Sequence, residues 1–425
     1  MEQGSYVEMH VEEMKKLMPS SPEMLRKFEL NAESTVETLT DLAATAEEQY
    51  YHALIKKIVE ERYGLGTLLD VYQIFGGYVN ITYGIYVEKD GVKSTWTVRK
   101  YRAGKTIDAL MFEHKLLLYA REHGAQYTAA PIFNKEGKSY VIESIDMGDT
   151  KEDYLFAIFN YIDGARLYDW MTNWAVDTLK DITVETAAQS LAEFHSATCD
   201  FDPQGLRGDN LLGTNEDITV NNLVADLPRR LLEYRKFYAE NGLENKFTEY
   251  MDTFQDDYTT WCKMATIPAE PYAQMFKCPC HLDFHGGNFK YWEDESVSGS
   301  FDYDMAMIDS RLFDIALGMH YSFASWSLSK PGVIDLARIE QFVKAYNARC
   351  VSIGRIPPLN EVEKAYFYEA MVQAPIYVYG WAQGSVSADL SADEYEYLFY
   401  CQHFSDSIKW LIENEQAVRE LGKRL

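Results

Sequence analysis

The chain has 425 residues, of which 47% are hydrophobic and 25% are charged, and these are the proportions of a globular protein. A chain of this length exceeds the size at which one hydrophobic core usually divides, so two or more subdomains are expected. The formal net charge of −26 would repel phosphates, which argues against nucleic acid or an anionic membrane as a partner.

The amino-terminal residues, MEQGSYVEMHVEEMKK, lack a basic start followed by an apolar run, and no stretch reaches the roughly 18 apolar residues of a membrane span. The six cysteines are scattered, and the closest pair is Cys278 and Cys280. A lone Cys-Pro-Cys lacks the second ligand pair of a structural zinc site. Reduced thiols in a cytoplasmic protein are therefore expected.

Residues 7–62 carry apolar side chains at three-to-four spacing among interleaved charges, which predicts helix. The first 45 residues are expected to form either a helical cap or the contact of a homodimer. The pattern changes at 71–101, where apolar and polar residues alternate and Val, Ile, Thr, Tyr and Trp are frequent. The Lys-Asp-Gly triplet at 89–91 supplies a turn, so this segment is predicted to be a β-hairpin.

A helix, two strands and a mainly helical second part follow in order. Residues 105–124 combine Thr106 as N-cap, an apolar stripe and Gly124 as a stop, which predicts a helix. SYVIESI and YLFAIFNYIDG are predicted strands. Beyond them, 183–198 is predicted to be an amphipathic helix and 218–266 a long helical stretch. A β-rich part followed by a helical part predicts an α+β fold.

A loop-rich segment at 280–305 interrupts the helices and begins CHLDFHGGNF. Two histidines with an acid between them resemble a zinc-binding helix, but the acid stands at the third position and two glycines would break the helix. A polar turn between strands is a second interpretation. The third uses spacing, because Asp283 is followed five residues later by Asn288, and fourteen residues after that by Asp302 at the start of the next predicted strand.

Phosphoryl transfer from ATP requires these residue types. A carboxylate orients or deprotonates the attacking hydroxyl, and oxygen ligands hold the Mg²⁺ ions that neutralise the phosphates. Mg²⁺ takes few protein ligands because it retains several waters. The triplet of two aspartates and one asparagine is therefore specific, whereas any member alone would be a weak signal.

The segment HLDFHGGNFKYWEDESVSGSFDYDMAMIDSRLFDIALG resembles the catalytic segment of the aminoglycoside phosphotransferase and choline kinase-like superfamily. Members of that superfamily have a two-lobed, protein-kinase-like fold and phosphorylate hydroxyl groups of small molecules. The resemblance implies that Asp283 is the catalytic base and that Asn288 and Asp302 are the magnesium ligands.

Other residues take supporting roles by the same resemblance. Asp304 occupies the acidic position next to the magnesium aspartate, and Asp314 is the structural aspartate that braces the loop. His281 would hold the loop by hydrogen bonds, and His285 would be positional rather than catalytic. SLAEFH resembles a family helix whose histidine, His195, would be packed and hydrogen-bonded in the core.

The resemblance extends to the β-rich part of the chain. IFGGYVNITYGIYV is similar to the hairpin that covers the ATP phosphates, with the backbone of Gly76 and Gly77 approaching them. TWTVRKY is similar to the strand that carries the ATP-contacting basic residue, which falls at Arg99. Lys100 is the alternative, and neighbours on a strand point to opposite faces. Glu113 would pair with that basic residue.

YLFAIFNYIDG is similar to the hinge strand, where backbone atoms of Asn160 and Ile162 would contact adenine and Phe159 would be the gatekeeper. On this basis the chain divides into three parts. They are a helical extension at 1–62, an N-lobe at 63–162, and a helical C-lobe with the catalytic loop and the acceptor site at 163–425.

The acceptor alternatives stay open: choline or ethanolamine, an amino sugar or aminoglycoside, homoserine, or another sugar-like alcohol. The negative charge and the 31 tyrosines favour a small cationic alcohol held by carboxylates and aromatic faces. The aromatic candidates are Tyr321, Trp326, Tyr379 and Trp381.

Two other classes of function stay open. One is a catalytically silent kinase-like binding or regulatory protein, which would have no chemical need for the intact triplet. The other is a protein Ser/Thr kinase. SRLFDIALG follows the second aspartate almost directly and leaves little room for an activation loop.

Overall fold

The structure, a computed structural model, describes residues 46–74, 80–146, 151–168, 179–208, 219–327, 329–388 and 394–425. The helix predicted from residue 7 lies outside the described residues as far as residue 45, as do Gly76 and Gly77. The described part of the chain is a five-stranded sheet followed by a helical bundle, which confirms the α+β prediction. None of the helices among these residues is long and apolar enough to cross a membrane.

The first lobe is built on an antiparallel sheet with the strand order β1-β2-β3-β5-β4. Its strands are β1 (Thr67–Ile74), β2 (Ile81–Lys89), β3 (Val92–Lys100), β4 (Val141–Asp146) and β5 (Lys151–Asn160). β2 and β3 form the predicted hairpin. Asp90 and Gly91 at its turn have φ angles of 53° and 76°, the left-handed values that a tight two-residue hairpin turn requires.

Two helices cover the two faces of this sheet. They are α1 (Ala46–Lys57), continued by a π-helical turn at Ile58–Tyr63, and α2 (Ile107–Glu122). α1 packs on one face with Phe156 and Ile158, and α2 packs on the other with Leu155 and Ala157. Alternate side chains of β5 thus pack against helices on opposite faces of the sheet. The predicted boundary at residue 62 therefore separates α1 from the sheet on which it packs.

The second lobe is a helical bundle that carries two short two-stranded sheets. Its helices are α3 (Asp181–Thr198), α4 (Val220–Glu240), α5 (Lys246–Ala265), α6 (Ala269–Gln274), α7 (Arg311–Phe323), α8 (Leu336–Ile353), α9 (Glu361–Ala365), α10 (Phe367–Ala388), α11 (Glu394–Glu413) and α12 (Glu415–Arg424). One sheet pairs β6 (Lys277–Cys280) with β9 (Met307–Ser310), and the other is the hairpin of β7 (Phe289–Tyr291) and β8 (Val297–Ser300). One hydrophobic core runs through this lobe.

Local signals place two of the helix boundaries. Thr106 caps α2 as predicted, because its side chain accepts a hydrogen bond from the N–H of Ala109. The stretch predicted as helical over 218–266 is two helices and not one. Gly242 has a φ of 67°, and Asn245 begins α5 with a capping box, so the chain turns between α4 and α5.

Candidate active site

A buried carboxylate fixes the start of the loop that follows β6. Asp314, in the first turn of α7, accepts hydrogen bonds from the backbone N–H groups of His281 and Leu282 at 2.8 and 2.9 Å. Leu282 has a φ of 60°, a costly angle for leucine, so these bonds stabilise a strained turn. The same carboxylate lies 3.0 Å from Nε2 of buried His195, whose Nδ1 is 2.8 Å from the Tyr346 hydroxyl. The loop is thereby anchored to α3, α7 and α8.

His281 connects this loop to the end of β8. Its Nε2 lies 3.1 Å from the backbone carbonyl oxygen of Phe301, and its ring centroid is 4.1 Å from that of Tyr303. Burial lowers the pKa of His281, against the attraction of Asp314 and Asp283, and this favours the neutral ring. The neutral ring can donate from Nε2 to the carbonyl, which is the structural role expected of this residue.

Asp283 and Asn288 are joined directly. Nδ2 of Asn288 donates to the backbone carbonyl and to Oδ2 of Asp283 at 2.8 and 3.1 Å, and it lies 3.1 Å from Nε2 of His285. The Tyr321 hydroxyl donates to the other carboxylate oxygen at 3.4 Å. Burial acts to raise the pKa of Asp283, but His285, with smaller contributions from His281 and Asn288, holds it below its ordinary value. Asp283 is thus an ionised carboxylate that can orient a hydroxyl.

Asp302 stands beside Asn288, but it does not begin a strand as the sequence predicted. The backbone carbonyl of Asn288 accepts a hydrogen bond from the N–H of Phe301 at 3.0 Å. Asp302 follows the end of β8, whereas it was predicted at the start of the next strand, and that prediction was wrong. A turn closed by a 3.0 Å bond from the N–H of Ala306 to the carbonyl of Tyr303 delays β9.

The guanidinium of Arg99 joins two acids of the cleft. Its Nη1 atom lies 3.3 Å from Oε1 of Glu113 and 3.0 Å from Oδ1 of Asp302. The neighbouring Lys100 lies on the other face of the sheet, with Nζ 3.1 Å from the hydroxyl of Tyr51 in α1. Of the two basic residues left open by the sequence, Arg99 is therefore the one that faces the cleft.

The surroundings of Asp302 suit a cation. Burial raises the pKa of Asp302 to about 8. The positive charge of Arg99 acts to lower this pKa, but repulsion from Asp304 and Asp283 acts against Arg99. The amide nitrogen of Asn288 is engaged with Asp283, so its amide oxygen is the atom fitted to ligate a metal. A carboxylate and an amide oxygen form a hard donor set, which fits Mg²⁺.

A second group of possible metal ligands lies behind the loop. Sulfur atoms of Cys278 and Cys280 and a ring nitrogen of His195 lie within 4.8 Å of one another, and all three residues are buried. Both cysteines are free thiols. Both ring nitrogens of His195 already bond to Tyr346 and Asp314, so ligation there would break a contact that braces the loop. Three ligands are also one short of a closed structural zinc site.

A cleft lies between the sheet and the β7–β8 hairpin. Its walls include Arg99, Glu113, Asn160, Ile162, Asn288 and Asp302, so the structure brings these predicted residues together. The predicted gatekeeper, Phe159, also lines it. The backbone N–H of Asn160 donates to the carbonyl of Ala130 at 3.1 Å, so that N–H is engaged within the protein.

Sequence reasoning missed several polar residues of this cleft, among them Tyr161, Arg166 and Lys290. Lys290 lies in β7, where a lysine between aromatic residues looks like an ordinary solvent-facing strand position. Nothing in the local pattern distinguishes it. Its position in the cleft follows from the pairing of β7 with β8.

The four aromatic candidates for the acceptor site lie in different surroundings. Tyr321 contacts Asp283, as described above. Trp326 stacks on His403, with ring centroids 3.6 Å apart. Tyr379 packs against Tyr258 at 4.7 Å, and Trp381 lies 5.9 Å from Tyr397 and 6.5 Å from Tyr400. Among the described contacts, Tyr321 is the candidate that touches the loop of Asp283 and Asn288.

Residues 73–346, more than half of the chain, match the profile of the phosphotransferase enzyme family. The chain belongs to this family. The matched range includes the end of β1 and the other four strands of the sheet, together with the segment that carries Asp283, Asn288 and Asp302. This confirms the resemblance, and the protein is a phosphotransferase. No curated protein matches the sequence.

Three solved structures that are similar to this phosphotransferase are titled as kinases. A microcompartment-associated aminopropanol kinase is 12% identical, with 87% of this chain and 98% of that chain covered and a TM-score of 0.54. Choline kinase from Cryptosporidium parvum Iowa II is 14% identical, with coverages of 82% and 91% and a TM-score of 0.52. An amicoumacin kinase in complex with AMP-PNP, Ca²⁺ and Ami is 14% identical, with coverages of 85% and 97% and a TM-score of 0.50. These likenesses confirm the two-lobed kinase-like fold.

Proposed function

We propose that this phosphotransferase is an ATP- and Mg²⁺-dependent kinase that transfers the γ-phosphoryl group to a hydroxyl of a small molecule. The observation that carries the proposal is the convergence of three residues. Asp283 is bonded to Asn288, and Asp302 stands beside them at a cleft that also contains the Arg99–Glu113 pair. Phosphoryl transfer requires this combination of a carboxylate, oxygen ligands and a fixed cation.

Each residue has a role in this proposal. Asp283 accepts a hydrogen bond from the acceptor hydroxyl and orients its oxygen toward the γ-phosphorus. It takes the proton as that oxygen bonds to phosphorus and the bond from phosphorus to the β–γ bridging oxygen breaks, which releases ADP. Asn288 and Asp302 are the residues that would hold Mg²⁺, which when bound neutralises charge on the phosphates. Arg99 contributes positive charge to the same end of the cleft. The adenine would lie near Asn160 and Ile162, under Phe159.

The acceptor proposed here is a small cationic alcohol. The chain carries a net charge of −26, and Tyr321 presents an aromatic ring beside Asp283. Farther along the bundle, the buried carboxylate of Glu396 accepts a 2.7 Å hydrogen bond from the Tyr400 hydroxyl, close to the ring of Trp381. Carboxylates and aromatic faces both attract ammonium groups. Aminopropanol and choline, for which two of the similar structures are named, are cationic alcohols.

A coupled assay of ADP release tests the proposal. The acceptors are choline, ethanolamine, aminopropanol, an aminoglycoside and homoserine, each beside a neutral alcohol of matched size, with a protein substrate and a no-acceptor control. We expect Mg²⁺-dependent ADP release with a small alcohol. Release with the protein substrate alone would favour a protein kinase. Mg·ATP binding without turnover on any acceptor would favour the silent binding protein.

We also propose that the protein is cytoplasmic and that it forms a homodimer. The six free thiols agree with a reducing compartment such as the cytoplasm. A homodimer contact through the first 45 residues stays a prediction, because these residues lie outside the described part of the chain.

A further inference from the structure

A hydrogen bond between the lobes lies two residues beyond Asp302, one of the proposed metal ligands. Nδ2 of Asn80 donates to Oδ2 of Asp304 at 2.6 Å. Asn80 is only 8% exposed, and it stands directly before β2 of the sheet. Its amide oxygen accepts a 3.1 Å hydrogen bond from the backbone N–H of Arg102, just beyond the end of β3. The sheet thus fixes the Asn80 amide, which presents a donor to the other lobe.

A second contact from the sheet lobe reaches the same acid. Nζ of Lys105, a buried lysine, donates a 3.3 Å hydrogen bond to the backbone carbonyl of Asp304. Lys105 stands two residues before the start of α2, whereas Asn80 precedes β2. Asp304 is therefore bonded by its side chain and by its backbone to two elements of the opposite lobe.

The segment from Asp302 to Asp304 needs such a constraint. Asp302 has a φ of 68°, in the left-handed region that residues other than glycine adopt at a cost. Its ion pair with Arg99 joins two groups that would both change partners, because Arg99 is proposed to act on the phosphates and Asp302 on Mg²⁺. The bond between Asn80 and Asp304 uses no atom of the residues proposed to bind nucleotide or metal. It can therefore hold the segment both in the free protein and in the complex.

An asparagine makes this contact without adding charge. Its amide is a neutral donor, so it bonds to the carboxylate of Asp304 without bringing a positive charge to the metal side of the cleft. A hydrogen bond to a carboxylate is shorter and stronger than one between neutral groups, which agrees with the 2.6 Å separation. A lysine or arginine in place of Asn80 would instead repel a cation bound at Asp302.

We infer that Asn80 is a positioning residue for Mg·ATP and that it acts through Asp304 on Asp302. The inference rests on the proposed function, because it concerns the metal and nucleotide site of that reaction. Asn80 holds Asp304, and two residues of chain pass this constraint to Asp302. Loss of the bond should therefore weaken the binding that depends on the metal and leave the binding of metal-free ATP unchanged.

Titration of the full chain measures two affinities, one for ATP with Mg²⁺ and one for ATP with a chelator in place of the metal. Asn80→Ala removes the donor and should lower the Mg·ATP affinity by roughly 10-fold, as expected for the loss of a hydrogen bond to a charged group. The metal-free affinity should change by less than roughly 2-fold.

Asn134→Ala is the matched control. Asn134 is a comparably buried asparagine of the same lobe, and its Nδ2 donates to the backbone carbonyl of Tyr140 at 2.9 Å. It does not line the cleft. A general loss of packing in the lobe would lower the thermal unfolding temperature of both variants, so the control should keep both affinities while its unfolding temperature falls.

A double-mutant cycle tests whether Asn80 acts through Asp304. Asn80→Asp keeps the shape of the side chain and its acceptor for Arg102, but it turns a second carboxylate toward Asp304. The Mg·ATP affinity should therefore fall at least as far as in Asn80→Ala. Asp304→Asn supplies a donor in exchange, and in that background Asn80→Asp should change the affinity by less than roughly 2-fold. Comparison within one background cancels whatever Asp304 contributes by itself.

The outcomes separate the inference from the proposed function. An unchanged Mg·ATP affinity in Asn80→Ala, an equal loss of metal-free affinity, or an equal effect of Asn80→Asp in both backgrounds overturns the inference and leaves the kinase proposal standing. Failure of the wild type to bind Mg·ATP overturns the proposed function, and the inference falls with it. Where Asn80→Ala does not fold, the cycle decides, since each of its proteins keeps polar side chains of the same shape at both positions.

Discussion

Replacing Asp283 with asparagine removes a negative charge and a proton acceptor while keeping the shape of the side chain. In the wild type, Nδ2 of Asn288 lies 3.1 Å from Oδ2 of Asp283. The new amide can keep this contact by placing its oxygen toward Nδ2. Its nitrogen then faces the Tyr321 hydroxyl, which can rotate and accept. The loop therefore stays in place, and the loss is chemical. General-base catalysis contributes roughly 10²–10⁴-fold, so we expect kcat to fall by that factor, about 3–5 kcal/mol in activation free energy.

Two quantities are measured for the wild type, Asp283→Asn and Glu293→Gln. They are kcat, from coupled ADP release, and the affinity for Mg·ATP, from titration. Glu293 is an exposed acid of the same segment, so its change to an amide should leave both quantities unaltered. The pKa of Asp283 lies below its ordinary value, so the carboxylate is ionised throughout the neutral range. The ratio of wild-type to variant kcat should therefore be constant from about pH 6 to 8. A loss of less than roughly 10-fold, or a large loss of Mg·ATP affinity, would refute the role of Asp283.

Three further changes give distinct expected outcomes. Asp302→Asn should weaken Mg·ATP binding as well as kcat, seen by titration at several Mg²⁺ concentrations, and an effect equal to that of Asp283→Asn would contradict its role as a ligand. Arg99→Ala should raise the KM for ATP, whereas Lys100→Ala, on the opposite face, should leave it within roughly 2-fold. Asp314→Asn leaves one backbone N–H of the loop without its acceptor, so thermal unfolding should show a loss of about 1–3 kcal/mol together with lower kcat.

The loop proposed to be catalytic was predictable because its candidate residues are close together in the sequence. Asp283 and Asn288 are five residues apart in one loop, and the structure joins them by hydrogen bonds. The hairpin turn at Asp90 and Gly91 and the cap at Thr106 are local in the same sense, since short-range geometry determines them.

Features that depend on pairing between distant segments were not predictable. Arg99 and Lys100 are adjacent, and the sheet register with α1 on one side decides which of them faces the cleft. The position of Lys290 depends on Gly299 and on the hinge beyond it. Asp302 was predicted at the start of a strand, and the turn at 303–306 delays β9 instead.

The two lobes make different contributions to the proposed reaction. Asp283 is positioned by the helical lobe, because Asp314 holds its loop and His195 holds Asp314. The acid segment around Asp302, by contrast, is tied to the sheet. Arg99 reaches Asp302 at 3.0 Å, and Nδ2 of Asn80 donates to Asp304 at 2.6 Å.

A shift of the sheet relative to the helices would therefore alter the charge around the proposed metal ligands, Asn288 and Asp302, before it moved Asp283, the carboxylate proposed to meet the acceptor. Nucleotide and metal would bind where both lobes contribute, and the acceptor hydroxyl would meet a group fixed by one lobe. This arrangement explains why a change at Arg99 is expected to act mainly on ATP affinity, whereas a change at Asp314 is expected to act on folding and turnover together.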